Sequence, residues 1–291
     1  MRRSLTLTSP AKLNLVLRVL GRRPDGYHEL FTLFHRISLR DTLRLEKGNK
    51  GIRLICSHPR VPKKTNLVVQ AFHLLKAQHP FSGGVTVRLT KRIPVGGGLG
   101  GGSSNAAAFL VGMNRLFRLG LAQKELIDLG KKLGADVPFF ISEARHAIGR
   151  GRGDEIQPLP FKKRLWFLLF PSLKSLSTRE VYSGLRSLRS RVSLTKVNRE
   201  IKISSAFLEK GNLSRAERFL ENDLRPSAEQ IRPSLRETRE RLSGLHLGAC
   251  QMSGSGPTLF VLFSSRSQAV RALCRIQDPR WRKKAIVCHS F

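Results

Sequence analysis

The sequence predicts an α+β protein with two domains. Its 291 residues, with 40% hydrophobic content, are enough for two ordinary cores. Segments with strand-like alternation and segments with helical spacing both occur, and their order fits helices on a mostly antiparallel sheet better than a repeated βαβ array. A basic stretch with two prolines, residues 158–164, separates the halves. We therefore expect domains at 1–157 and 158–291.

The first half begins with strands and continues with helices. Residues 5–20 alternate as strands do, and residues 21–26 favour a turn, so two short strands or a hairpin are expected. Residues 31–45 continue the β pattern. The further elements expected here are a helix at 66–78 with Asn66 as N-cap, a strand at Gly84–Thr90, a helix at 105–117, a helix at 121–133 ended by Gly134, and a buried apolar segment at 135–140.

The second half mixes short helices with apolar strands. The expected strands lie at 165–170, 258–263 and 285–288. The helical candidates are 178–188, 204–208, 215–222, 227–242 and 267–276.

The most informative segment is residues 94–104, Pro-Val-Gly-Gly-Gly-Leu-Gly-Gly-Gly-Ser-Ser. Its glycines lack Cβ atoms, so the backbone amides can approach a bulky anion closely. The run joins a strand to a helix N-terminus, where Ser103 or Ser104 is expected to cap the first turn and the helix dipole attracts anions. No Asp or Glu occurs between Lys47 and Lys124. The run therefore predicts a phosphate-binding loop.

Three other interpretations of this run fit less well. A flexible interdomain linker would be polar on both sides, whereas apolar periodic segments flank these glycines. A Walker loop places a lysine after its last glycine, where this chain has Ser103. Gly96, Gly98 and Gly101 satisfy the dinucleotide pattern, but no acidic residue follows before Glu125 to hold a ribose.

The chain is strongly basic, with a net charge of +33. Such a charge raises nucleic acid as a partner, but Lys and Arg are spread over the whole chain, and a source with generally basic proteins would show the same charge. We therefore expect no specific nucleic-acid partner. The four cysteines lack metal-ligand spacing, and no apolar run is long enough for a bilayer. A cytoplasmic protein with reduced thiols and no membrane partner is expected.

Two charged residues are candidates for chemistry. Asp136 follows a helix and precedes Pro138, where partial burial would position a carboxylate to accept a hydroxyl proton. A helix-capping or turn aspartate is the alternative. Lys12 lies in an apolar strand, where a buried lysine requires an anionic partner. A surface lysine is the alternative, and the alternation by itself favours it.

Two further segments have both a structural and a functional interpretation. Residues 252–258, Met-Ser-Gly-Ser-Gly-Pro-Thr, either present amides and hydroxyls to a second anionic group or form an ordinary tight turn. Tyr27 and His28 follow a turn, and they either stack on a base or sugar or serve only packing.

Together these segments resemble the motifs of the GHMP kinases. The resemblance is carried by Pro-Ala-Lys-Leu-Asn-Leu at 10–15, by residues 94–104 and by Met-Ser-Gly-Ser-Gly at 252–256, in that order. Within that family, Asp-Gly-Tyr-His-Glu-Leu at 25–30 and Gly-Ala-Asp-Val-Pro-Phe-Phe at 134–140 are similar to the members that phosphorylate a cytidylated methylerythritol.

The resemblance implies an N-terminal α+β domain with the glycine loop, a C-terminal ferredoxin-like domain and an active site between them. It implies ATP-dependent phosphorylation of the 2-hydroxyl of 4-diphosphocytidyl-2-C-methyl-D-erythritol, with Mg²⁺ bridging the phosphates, on the methylerythritol phosphate route to isoprenoids. Asp136 would take the hydroxyl proton, and Lys12 would hold that carboxylate and offset charge on the transferred group. Another small-molecule GHMP kinase is the alternative, favoured if Tyr27 and His28 lie away from the acceptor.

The same resemblance implies two sets of binding residues and assigns no protein ligand to the metal. Nucleotide binding is expected at Pro94, Val95, Gly96, Gly97, Gly98, Leu99, Gly100, Gly101, Gly102, Ser103, Ser104 and Asn66. The acceptor substrate is expected at Asn14, Tyr27, His28, Thr178 and Tyr182. A monomer or a homodimer is expected.

Overall fold

The computed structural model describes residues 3–59, 61–62, 65–172, 174–185 and 193–291. Two sheets organise these residues, one in each half of the chain, and helices pack on both. The predicted α+β class with two domains is confirmed.

A long hairpin forms the centre of the first sheet. Strand β1 (Ser4–Arg22) pairs antiparallel with β2 (His28–Gly48) along nearly its whole length, with three register shifts. Such bulges bend and twist the hairpin, so that it contacts both halves of the molecule. The predicted hairpin is confirmed, and it continues through the predicted strand at 31–45.

The remaining strands of the first sheet extend from β2. They are β3 (Gly51–Cys56), β4 (Gly84–Thr90), β5 (His146–Arg150) and β6 (Glu155–Pro158), in the order β3-β4-β2-β5-β6, with β1 on the other side of β2. All of these pairings are antiparallel except that of β3 with β4. We did not predict β3, β5 and β6, because these short segments mix apolar residues with glycine and charged residues and lack a sustained alternation.

Helices cover one face of this sheet. They are α1 (Leu67–Gln78), α2 (Gly101–Phe117), α3 (Gln123–Leu133) and α4 (Val137–Ile141). Asn66 caps α1 as predicted, since its Oδ1 accepts from Val68 N at 2.9 Å. The apolar segment predicted at 135–140 contains most of α4, which is entirely buried.

The second sheet is antiparallel and has ferredoxin-like topology. Its strands are β7 (Trp166–Phe170), β8 (Cys250–Met252), β9 (Leu259–Phe263) and β10 (Ile286–His289), in the order β10-β7-β9-β8. Helices connect β7 to β8 and β9 to β10, which is the βαββαβ arrangement of that fold. The strands predicted at 165–170, 258–263 and 285–288 are thus present within one residue of their expected ends, whereas β8 was not predicted.

The helices of the second half differ from their predicted bounds. They are α5 (Thr178–Ser183), α6 (Leu194–Glu209), α7 (Leu213–Ala216), a 3₁₀ turn (Glu217–Phe219), α8 (Arg225–Ile231), α9 (Pro233–Gly244), α10 (Arg266–Arg275) and α11 (Pro279–Lys284). The single helix predicted at 227–242 is wrong, because Pro233 disfavours helical backbone at Arg232 and splits it. The helix predicted at 215–222 ends at Phe219. Residues 186–188 of the helix predicted at 178–188 lie outside the described residues.

The two sheets share a buried apolar core. Leu13, Leu33 and Phe31 of the hairpin join Phe167 and Phe260 of the second sheet in one cluster. The predicted domain boundary at 157/158 falls in β6, the last strand of the first sheet, and stays a prediction.

Candidate active site

A cleft of about 1120 Å³ is lined by residues of both halves. It brings together most of the predicted site residues, which come from distant parts of the chain. Those that line it are Lys12, Asn14, Tyr27, His28, Asn66, every residue from Pro94 to Ser103, Asp136, Thr178 and Tyr182. Among the described residues that line it, five are Lys or Arg and two are Asp: Lys12, Arg22, Lys91, Arg152, Arg179, Asp25 and Asp136. The balance of charge favours anionic ligands.

The glycine loop needs its glycines for backbone conformation. Gly96, Gly98 and Gly100 have φ values of 68°, 75° and 68°, in the left-handed region that other residues rarely adopt. A Cβ on Gly98 would also lie only 2.4 Å from the carbonyl oxygen of Ser253. The loop can therefore pack directly against the second glycine-serine segment.

Helix α2 begins within this segment, at Gly101, with Gly100 as its N-cap. Because glycine has no side chain to accept from the first-turn amides, those N–H groups remain available to an anion in the cleft. The predicted cap by Ser103 or Ser104 is wrong. Both serines lie inside the helix, which starts at Gly101 rather than at residue 105.

The two serines have different surroundings. Ser104 is 1% exposed and does not line the cleft, since its Oγ accepts a hydrogen bond from Ser9 Oγ at 2.8 Å. Ser104 is therefore not among the residues that line the cleft, and its nucleotide contact stays a prediction. Ser103 does line the cleft, and a Cβ on Gly134 would be 3.9 Å from its hydroxyl oxygen. This hydroxyl thus lies beside the segment that leads to Asp136.

Lys12 is a buried cation with an anionic partner. Its Nζ lies 3.3 Å from Asp136 Oδ2 and donates to Asn14 Oδ1 at 2.5 Å and to the Gly98 carbonyl at 3.2 Å. Only 3% of Lys12 is exposed. The alternative of a surface lysine is excluded, and the ion pair supplies the partner that a buried ammonium requires.

Asp136 occupies the N-cap position of α4 but does not cap it. Its side chain makes no hydrogen bond to the helix amides and is 30% exposed at the cleft. The capping interpretation is therefore not supported. A half-buried carboxylate beside a lysine and open to the cleft can accept a proton from a bound hydroxyl.

The second glycine-serine segment packs on the first and is more than an isolated turn. Ser253 Oγ donates to the Gly98 carbonyl at 3.1 Å and accepts from Asn14 N at 3.3 Å. Thr258 N donates to the Gly97 carbonyl at 3.3 Å. These hydrogen bonds thus connect the segment before β9 of the second sheet to both the glycine loop and the strand that carries Lys12.

Tyr27, His28 and Tyr182 also line the cleft, and we call them its aromatic side. The rings of His28 and Tyr182 are 5.1 Å apart between centroids, and the Arg152 guanidinium lies 5.1 Å over the ring of Tyr27. Tyr27 is 57% exposed. The hydroxyls of Thr178 and Ser255 are 3.0 Å apart. The structure therefore brings His28, Tyr182 and Tyr27 to one side of the cleft, with His28 rather than Tyr27 against Tyr182.

Burial sets the protonation of two of these rings. It lowers the pKa of His28, and nearby Arg22 lowers it further, so the imidazole is neutral at neutral pH. Burial, and to a smaller extent the Asp136 carboxylate, raises the pKa of the Tyr182 phenol, which therefore remains a hydrogen-bond donor.

Sequence reasoning missed the buried carboxylate that holds the start of the glycine loop. Asp41 is fully buried and accepts from Arg92 N at 2.7 Å, from Ile93 N at 2.8 Å and from Asn105 Nδ2 at 3.0 Å, and it pairs with Lys91. These contacts fix the chain just before Pro94. An aspartate inside an otherwise apolar β pattern was the available signal.

The described residues contain no group of three or more His, Cys, Asp or Glu side chains placed to hold a metal ion. Within the same part of the chain, no helix combines the length and apolar character needed to cross a membrane.

Both halves of the chain match models of one kinase family. Residues 66–144 match the GHMP kinases N terminal domain, and residues 204–279 match the GHMP kinases C terminal domain. The fold and the cleft thus define a GHMP kinase.

Comparison with relatives and with a solved structure identifies the particular family within the GHMP kinases. The chain is 37% identical over 285 residues to a 4-diphosphocytidyl-2-C-methyl-D-erythritol kinase of Acaryochloris marina, covering 94% of this chain and 91% of the relative. It is 40% identical over 268 residues to the enzyme of that name from Marinobacter nauticus, covering 91% and 88%. A crystal structure of 4-(cytidine 5'-diphospho)-2C-methyl-D-erythritol kinase superposes with a TM-score of 0.81 at 33% identity, covering 99% of this chain and 100% of the other. The chain belongs to the 4-diphosphocytidyl-2-C-methyl-D-erythritol kinase family.

Proposed function

We propose that this protein transfers the γ-phosphoryl group of ATP to the 2-hydroxyl of 4-diphosphocytidyl-2-C-methyl-D-erythritol, a step of isoprenoid biosynthesis by the methylerythritol phosphate pathway. The observation that carries the proposal is the Lys12–Asp136 ion pair, which lines the same cleft as the glycine loop and the aromatic side. The names of the relatives support the acceptor.

Asp136 acts as the general base. Its carboxylate takes the proton of the 2-hydroxyl as that oxygen bonds to the γ-phosphorus, the bond from the γ-phosphorus to the bridging oxygen breaks, and ADP leaves with the electron pair. The 30% exposure of the Asp136 side chain leaves a face open to the acceptor. A carboxylate in this position directs the hydroxyl toward the phosphate as well as deprotonating it.

Lys12 has two roles in this mechanism. Its Nζ holds the Asp136 carboxylate at 3.3 Å and, because it also donates to Gly98 O, lies directly beside the glycine loop. From this position the ammonium offsets the negative charge that spreads over the phosphoryl oxygens in the transition state.

The glycine loop fits a triphosphate. The backbone amides of Gly98 to Ser103, which include the uncapped first turn of α2, supply hydrogen-bond donors. Asn66 and Leu67 also line the cleft. We place the ATP phosphates along the loop and the base beside Asn66. Mg²⁺ would be held mainly by phosphate oxygens, and the Ser103 hydroxyl and the Asp136 carboxylate, which both line the cleft, would be its protein contacts; when bound, it would neutralise part of the phosphate charge.

The aromatic side of the cleft fits the cytidine end of the acceptor. Tyr182, His28 and Tyr27 offer ring faces, and the neutral imidazole of His28 can exchange hydrogen bonds with a base edge. Arg152 and Arg179 add positive charge for the diphosphate. Thr178 and Asn14 are the remaining proposed acceptor contacts. The cytoplasmic location and the monomer or homodimer stay predictions.

A coupled assay of ADP release tests this function. Purified protein with ATP, Mg²⁺ and the cytidylated acceptor should release one ADP for each phosphorylated product. Mevalonate and homoserine serve as competing acceptors in the same assay. Turnover of either one, with none of the cytidylated compound, would assign the chain a different acceptor within the GHMP kinases.

A further inference from the structure

Asn222 is a buried residue outside the cleft, and both the nitrogen and the oxygen of its side-chain amide make hydrogen bonds. Its Nδ2 donates to the Met252 carbonyl at 2.7 Å and to the Gly254 carbonyl at 2.8 Å, and its Oδ1 accepts from Leu224 N at 3.0 Å. Asn222 itself is 8% exposed. Both donated bonds go to the second glycine-serine segment, so one amide fixes two carbonyls of that segment.

The backbone around Asn222 is docked on β1, the strand that carries Lys12. Leu17 N donates to the Glu221 carbonyl at 2.8 Å, and Asp223 N donates back to the Leu17 carbonyl at 2.9 Å. Val19 N donates to Asp223 Oδ2 at 2.8 Å. These three hydrogen bonds, together with the ion pairs of Arg18 with Glu221 and Asp223, fix residues 221–223 to the first half of the molecule, five residues along the same strand from Lys12.

The segment that Asn222 holds touches the reacting part of the cleft. Gly254 lies so close to the ion pair that a Cβ on it would be 3.4 Å from Lys12 Nζ. Ser253 Oγ, between the two carbonyls held by Asn222, donates to the Gly98 carbonyl at 3.1 Å. Movement of this segment would thus displace the surroundings of Lys12 and of the glycine loop together.

We propose that Asn222 is a positioning residue for phosphoryl transfer, an inference that rests on the proposed function. Its amide holds the second glycine-serine segment at a fixed distance from β1, and so keeps this segment of the second half against Lys12 and the glycine loop of the first half. Asn222 does not line the cleft, and it acts only through the segment 252–254.

N222D is the sharpest test, because aspartate has the same shape and keeps the acceptor for Leu224 N but cannot donate to the two carbonyls. The matched control is N212D. Asn212 caps α7 by accepting from Arg215 N at 3.3 Å, a role that aspartate fills equally well, and it does not line the cleft. Both variants make the same chemical change in the same half of the protein.

We expect N222D to lower kcat about tenfold or more and to weaken binding of a non-hydrolysable ATP analogue several-fold, with a smaller change in KM for the acceptor. N212D should match the wild type in all three. All values are taken per folded protein, well below the unfolding temperature of each variant. N222D with wild-type kcat and wild-type analogue binding would overturn the proposal.

A double-mutant cycle with S253A separates positioning from general stability. If Asn222 acts through the segment that Ser253 joins to Gly98, the losses in kcat of N222D and S253A should be strongly non-additive. Additive losses would contradict the proposal. If the wild type does not turn over the acceptor, the proposed function fails. Binding of the ATP analogue by N222D, S253A and the double variant then still decides the role of Asn222.

Discussion

Lys12 and Arg36 face each other across the central hairpin as direct partners in the β1–β2 register. Side chains of directly paired residues lie on the same face of a sheet, and both of these reach α4. Lys12 pairs with Asp136 at the N-terminal end of that helix, and Arg36 donates to the carbonyls of Phe139 and Phe140 near its other end, at 3.2 and 3.3 Å. Two neighbouring cations thus hold the short helix that presents the proposed base.

Arg36→Met should lower both stability and turnover. The guanidinium also lies 5.4 Å over the ring of Phe139, and burial lowers its pKa to about 10, which leaves it charged at neutral pH. Loss of its hydrogen bonds should cost about 1–3 kcal/mol of unfolding free energy and loosen α4, so kcat should fall while KM for ATP changes little. Denaturant unfolding and steady-state kinetics measure both effects. The exposed Arg40, changed to Met, is the control, and equal effects of the two changes would contradict this role.

Asp136→Asn should abolish most turnover without loss of nucleotide binding. An amide keeps the shape but cannot take the hydroxyl proton, and general-base catalysis contributes roughly 10²- to 10⁴-fold. Titration calorimetry with a non-hydrolysable ATP analogue should give near wild-type affinity. Asp128→Asn, an exposed change on α3, is the control. Unchanged kcat in Asp136→Asn would reject Asp136 as the base.

Lys12→Met should impair chemistry more than binding of the acceptor. The change removes the charge beside the glycine loop and leaves Asp136 without its cation, so we expect kcat to fall about 100-fold or more and the affinity for ATP to weaken. Single-turnover measurements separate the two effects. Lys124→Met, at an exposed position, should leave both unaltered. Retention of wild-type kcat in Lys12→Met would remove Lys12 from the mechanism.

Tyr182→Ala should raise KM for the cytidylated acceptor and leave KM for ATP nearly unchanged. Its ring lies 5.1 Å from His28 on the aromatic side of the cleft, and a stacked base is worth about 1–3 kcal/mol. Tyr182→Phe keeps the ring and should bind the acceptor almost as the wild type does. If the two variants raise KM for the acceptor equally, the contact depends on the hydroxyl instead of the ring.

A buried histidine pair should make stability fall in mild acid. His35 Nδ1 and His146 Nδ1 are 2.8 Å apart, and burial lowers the pKa of His35 to about 3 and that of His146 well below its usual value. Below pH 6.5 the unfolded chain binds protons that the folded chain does not, so the free energy of unfolding decreases as pH falls, by about 2 kcal/mol per histidine at pH 5.

Urea unfolding between pH 7.5 and 5 measures this slope. His35→Leu removes one of the two groups and should flatten the decrease, whatever its effect on stability at neutral pH. The same change at His73, a surface histidine of α1, should leave the slope as in the wild type. An equal slope in the His35 variant and the wild type would contradict the assignment.

The residues recognised from sequence share a local signal. The glycine run, Lys12 in an apolar strand and Asp136 before a proline each stand out within a few positions, because a phosphate loop, a buried charge and a helix start have local requirements. Asn222 and Arg36 have no such signal, and the signal at Asp41 does not indicate which groups it holds. Their hydrogen-bond partners lie far along the chain, and nothing near them in sequence indicates which carbonyls or amides they meet.

The sequence by itself determined the α+β class and the order of the main elements, since periodicity and glycine content are properties of short segments, and its resemblance to the GHMP kinases indicated Lys12 and Asp136. Only the tertiary structure decided that Lys12 is buried, that Asp136 pairs with it instead of capping α4, that Gly100 and not a serine is the N-cap of α2, and that Ser104 lies in the core. Burial and pairing depend on how two distant halves of the chain pack together, and no local pattern contains that information.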